Sequence, residues 1–174
     1  MLSLSAARWL LVLHTGLGVA AVAAGTHLVV WLRRYLRGAQ SRRAVVKFAA
    51  IFVALQVAAF VAGNVMYPTY KVEVRTAYLE NPRAIAADHP GPASATEELV
   101  KSAAQAARWF DVKEHWIALG LFASAAVLLI LAFWDPARDG AGFAPIVVGL
   151  AAIACATVWL GAIIGVLTAA WRAV

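Results

Sequence analysis

The sequence predicts an all-α fold, a four-helix transmembrane bundle with a partly helical extramembrane segment between helices two and three. Three observations predict it. The first is composition. Of the 174 residues, 63% are hydrophobic and 14% charged, against roughly half and roughly a quarter in soluble domains. The second is patterning. Four charge-free runs, residues 9–32, 48–70, 115–134 and 140–171, are each at least 20 residues long, and about 20 apolar residues on a helix cross the ~30 Å hydrocarbon core. The third is the placing of tryptophan. Trp9 and Trp31 stand 22 residues apart, or about 33 Å along a helix, so their indoles bracket one membrane thickness at headgroup level.

Helix one covers about 7–32. It is longer than the apolar region of a signal peptide, and Arg33-Arg34 closes it as a stop. Residues 33–47 make a short loop that holds six of the fifteen basic residues: Arg33, Arg34, Arg37, Arg42, Arg43 and Lys47. The positive-inside rule makes this loop cytoplasmic. Both termini and the 68–110 segment then lie outside. Helix two covers about 45–67 and is predicted to end at Pro68. Helix three covers about 113–134, bracketed by Trp116 and Trp134, with Asp111-Val112-Lys113-Glu114 as a capping-box start. Helix four covers about 145–171, and Pro145 fits its first turn, where a missing N–H costs nothing. Gly161 with Gly165, Gly16 with Ala20, and Ala21 with Gly25 are small-residue pairs one helical turn apart. Such faces let helices approach closely, inside the bundle, at a homodimer seam or beside a flat cofactor.

The 68–110 segment is nearly neutral. Tyr67, Tyr70, Val74 and Tyr78 fall on one helical stripe, which predicts a short interfacial helix. Residues 81–92 hold three prolines and a glycine, and are read as loop. Ser94-Ala95-Thr96-Glu97 matches a capping box, with an Ala-rich helix to about Trp109.

A pI near 10 suits nucleic acid in a soluble chain, but here topology accounts for the basic cluster, and no nucleic-acid role is expected. The single Cys155 forms no internal disulfide and belongs to no zinc pattern. No GxSxG, Walker loop or HExxH motif is present. Polar groups inside a membrane are functional candidates by default. His14, Asn64, Tyr67, Glu114 and His115 are expected at one depth near the outer face. His14 and His115 are the candidate ligands of haem b or a transition metal. Asn64, Tyr67 and Glu114 are the candidate lining of a ligand or proton pocket. The competing reading is structural hydrogen bonding by all five. His27 lacks a partner histidine, Gln56 reads as interhelical glue, and His89 reads as solvated.

Tyr67-Pro68-Thr69-Tyr70 with Val74-Arg75, followed by Trp109-Phe110-Asp111-Val112-Lys113-Glu114-His115, resembles a pattern of uncharacterised four-span bacterial membrane proteins. That resemblance implies the fold and a bacterial inner (plasma) membrane location. Leu13-His14 and His115 more faintly resemble four-helix b-type cytochromes and copper-resistance-D-like membrane proteins. The di-haem cytochromes use four axial histidines, whereas three lie in or near helices here. The expected function is a non-enzymatic membrane subunit or scaffold, in contact with the lipid bilayer and with a membrane protein partner or a second copy. The alternatives are a b-type haem or metal protein and a small-ligand or proton-handling protein.

Overall fold

The computed structural model describes residues 3–171, and those residues form helices with no strand. Helix α1 covers Leu4–Leu36. A turn follows in which Gly38 takes a positive φ of 74°, a conformation that glycine adopts without a Cβ penalty. Ser41 caps α2, Arg42–Thr69, by accepting from the Ala44 N–H. Four helices, 5–36, 42–79, 93–133 and 144–169, are long and apolar enough to cross a membrane. Of the most apolar window in each, 22 to 33% is buried, so most of that surface faces outward. Outward-facing apolar side chains such as Trp9, Phe122 and Val166 would be unfavourable in water and are at home in lipid. The chain is an integral membrane protein by this architecture.

Helix two does not end at Pro68. The helix continues as a π-helical stretch, Tyr70–Leu79. Proline lacks the N–H that would bond the carbonyl four residues back, and its ring crowds that carbonyl. Beyond it the hydrogen-bond ladder widens, as in the Glu80 N–H to Arg75 carbonyl bond of 2.9 Å. The wider turn buries Tyr70, Val74, Tyr78 and Leu79 on one side. The predicted stripe is therefore present, as a continuation of the span.

Residues 81–92 are not all loop. Pro82–Asp88 form a short helix α3, capped by Asn81, whose side chain accepts from Arg83 and Ala84, with Pro82 in the first turn. Helix α4 runs unbroken over Ala93–Phe133. Its 41 residues span about 60 Å, twice the hydrocarbon thickness, so its first half stands beyond the bundle. Neither expected capping box forms. Pro92 is the cap, without a side-chain bond. Glu97 pairs instead with Lys101 at 2.7 Å, and Asp111 is drawn to Arg75. A short α5, Pro136–Asp139, leads to α6, Ala144–Ala169, whose first turn holds Pro145.

The four spans form a ring in the order α1, α2, α4, α6, each packed on its two neighbours. One apolar core lies toward the 37–41 turn, built from residues such as Leu28, Leu32, Phe52, Val127, Leu131 and Val158. Of the small-residue faces, Ala21 is in this core, Gly25 receives the Phe52 ring, and Gly161 receives Ile117. Gly16 faces open space. A second, smaller core joins Tyr70, Val74, Tyr78, Leu79, Ile85, Ala103 and Ala107. It forms a cap layer over the far end of the ring. Trp134 is buried rather than spread along a membrane surface, and its indole N–H donates to the Gly140 carbonyl at 3.0 Å.

Candidate functional site

The residues singled out from sequence lie at the cap end, but they do not all face one another. His14 is half-buried on α1. Its Nδ1 donates to the Ala59 carbonyl of α2 at 2.9 Å. A carbonyl only accepts, so Nδ1 carries a proton, and in the neutral ring Nε2 carries the lone pair. The ring fits because position 63 is glycine. A Cβ there would come within 3.2 Å of His14 Cε1.

His115 is exposed on α4. Its Nδ1 donates to the Asp111 carbonyl of its own helix at 2.8 Å. No hydrogen bond joins the two histidines among the described residues. Asn64 is exposed, and its amide donates to the Phe60 carbonyl at 2.9 Å. Tyr67 is half-buried and stacks on Tyr70 and Phe110, with ring centroids 6.4 Å from each. Glu114 is half-buried, with the charges of Asp111, His115, Arg75 and Lys113 around it.

Three features were not legible beforehand. Arg75 is a clamp. Its guanidinium binds both oxygens of Asp111, at 2.6 and 3.2 Å, and Glu80 at 2.8 Å. A bidentate fork of this kind fixes orientation as well as contact, and it ties the π-helical stretch to α4. The second feature is an aromatic stack, with Tyr70 and Phe110 only 4.0 Å apart. The third is Lys113. Its ammonium lies 5.4 Å from the centre of the Phe110 ring, against Gly165 of α6, and near enough for its charge to act on His14. No carboxylate pairs with it among the described residues. The signals were present in the Phe110-Asp111-Val112-Lys113 run and at Arg75, but 36 residues separate Arg75 from Asp111. Only the fold brings them together.

Deeper in the ring, several other polar groups are engaged, although Gln56 Nε2 is buried with no hydrogen-bond partner among the described residues. Ser124 donates to Gln56 Oε1 at 3.1 Å, which makes Gln56 a bridge from α2 to α4. Thr26 donates to the Val22 carbonyl at 2.8 Å and accepts from the Trp159 indole at 3.1 Å. Thr157 and Thr168 bond carbonyls of their own helix. His27 is exposed. His89 is exposed too, with Nε2 3.4 Å from the Tyr78 hydroxyl. Among the described residues no group of three His, Cys, Asp or Glu is placed to hold a metal ion.

Grooves open at both ends of the molecule. One of about 500 Å³ on the protruding half of α4 is lined by Lys101, Ala104, Gln105, Arg108, Trp109 and Val112. Another, of about 430 Å³, lies at the 37–41 end and is lined by Arg42, Arg43, Val46 and Ala132. No family model, curated protein or solved structure matches the chain.

Proposed function

We propose that this chain is a non-enzymatic subunit or scaffold of a membrane assembly, with the cap layer outside the cytoplasm as its contact surface. One observation carries the reading. His14, Asn64 and His115 each spend Nδ1 or amide donors on main-chain carbonyls, and Gln56 binds Ser124. The His14 and Gln56 contacts join neighbouring helices, as polar side chains that hold a membrane bundle together do, and those of Asn64 and His115 close on their own helices. The α4 groove supports a contact role. Trp109 is 47% exposed there, flanked by the cationic Lys101 and Arg108, and tryptophan and arginine are the residues that most often anchor interfaces.

A photo-crosslinker at Gln105 tests this in native membranes. A discrete adduct, lost in Trp109→Ala, is the expected result. A partner-free monomer at every position along the groove would overturn it.

A second reading, a small-ligand or proton site, is favoured by Lys113. A cation near the bilayer without a carboxylate partner is expensive, and His14 and Glu114 are within its field. The haem alternative has one supporting feature, the engaged Nδ1 of His14 and of His115, which leaves Nε2 as the ligating nitrogen. A dithionite-reduced minus oxidised visible spectrum of the purified protein, with metal analysis, separates these readings. A b-type α band lost in His14→Ala would replace the scaffold reading by the redox one. A flat spectrum with no metal removes the redox reading.

A further inference from the structure

The opposite end of the bundle carries a feature that the proposed function does not use. Arg33, Arg34, Arg37, Arg42, Arg43 and Lys47 cluster around the 37–41 turn. Among the described residues none of the six makes an ion pair. The acids at this end are already engaged. Asp139 pairs with Arg138 at 2.9 Å. Asp135 accepts from the Tyr35 hydroxyl at 3.2 Å and from the Ala137 N–H.

Within this cluster the α2 start and the α4 end form the 430 Å³ groove. Arg42 is anchored there, its Nη2 donating to the Ala132 carbonyl at 2.5 Å. Among the described residues its other donors have no acceptor, and Nε is shut off from solvent without a partner. Arg43 makes no hydrogen bond with the described residues and is exposed. Beside the two guanidinium groups the lining is apolar, Val46 and Ala132. Next to it Phe133 is 78% exposed, at the point where α4 ends.

We propose that this groove is a binding site for one anionic phospholipid. Two planar guanidinium groups match a phosphodiester, which they can grip through paired N–H donors. The apolar lining suits the glycerol and first acyl carbons that follow the phosphate in a lipid but not in free phosphate. The position suits it as well. The helix ends here place the groove at headgroup depth, where basic pockets between spans take acidic headgroups. The positive end of the α2 dipole adds to the same field.

The test uses the full chain in zwitterionic detergent, titrated with phosphatidylglycerol, phosphatidylcholine or inorganic phosphate. Bound lipid is read by native mass spectrometry and Tm by light scattering. Wild type is expected to retain phosphatidylglycerol over phosphatidylcholine and to gain Tm only with phosphatidylglycerol. Arg43→Gln, which removes no hydrogen bond within the protein, should bind it about fivefold more weakly, the order expected of one basic group at an anionic surface. Arg42→Gln with Arg43→Gln should abolish the preference, and Arg33→Gln with Arg34→Gln should leave most of it. Three results would each overturn the site: equal retention of the two lipids by wild type, equal loss in the Arg33/Arg34 pair, or protection by inorganic phosphate alone. The second would mean diffuse charge, and the third a small-anion site.

Discussion

Toward the 37–41 turn, all four spans interlock through leucine, valine, phenylalanine and alanine side chains. At the cap end, the contacts are of another kind. A bidentate Arg75–Asp111 pair, a stack of Tyr67, Tyr70 and Phe110, and a histidine seated on glycine hold the elements. The difference follows from surroundings. In lipid, apolar burial gives no hydrophobic gain, and tight packing alone must hold helices together. Near the membrane surface water returns, and a partly wet cluster of charges and aromatic rings becomes tolerable. The first end is built for persistence. The second holds the polar groups that a partner or ligand could address.

The sharpest way to break this contrast is Phe52→Ala. The Phe52 ring is fully buried and fits against Gly25. Its removal leaves a cavity, and large-to-small changes of this kind cost about 3–5 kcal/mol. A large fall in Tm in detergent is expected. A fall no greater than that of any cap-end variant would mean that the two ends are equally packed.

Next comes Gly120→Val. Gly120 lies against Thr157, and a Cβ there would collide with the hydroxyl. Overpacking costs about 1–3 kcal/mol, and loosening of α4 from α6 is expected as faster hydrogen exchange along both helices. Unchanged exchange would show that the close approach is not needed.

Arg75→Gln sharpens the contrast at the other end. The clamp is partly solvated, with its carboxylates about two-fifths exposed, so a loss of about 1 kcal/mol or less is expected. The change should be local. Exchange should rise in 70–79 and stay level in 45–66. A uniform rise would make the cap layer part of the main cooperative unit.

The smallest effect belongs to Ser124→Ala. Interhelical hydrogen bonds in membranes average about 0.6 kcal/mol, and the loss of the Gln56 bridge should lower Tm slightly. A fall as large as that of Phe52→Ala would mean that Gln56 does more than join α2 to α4.

Much of the cap end was hidden in the chain. Pro68 reads as a stop because its missing N–H breaks an ordinary ladder. The chain instead widens its turns after it, and carries Tyr70, Val74 and Tyr78 into a second core. The Asp111 to Glu114 run has the spacing of a helix start, but Arg75 takes the Asp111 carboxylate, and α4 runs through. His14 was legible as a membrane-embedded polar group, although its partner was not. Ala59 and Gly63 are silent in composition, and they matter only because α1 lies on α2.

The sequence by itself determined that there are four long apolar helices, though not where the second ends or the third begins. Lipid demands about 20 apolar residues per crossing and internal hydrogen bonding of the backbone, and both requirements are written along the chain. Tertiary structure alone decided which polar groups meet. Pairings such as Arg75 with Asp111, Ser124 with Gln56, and Thr26 with Trp159 join residues 36 to 133 positions apart. Their geometry depends on the ring order of the helices and on the turn width after Pro68, which no local pattern encodes.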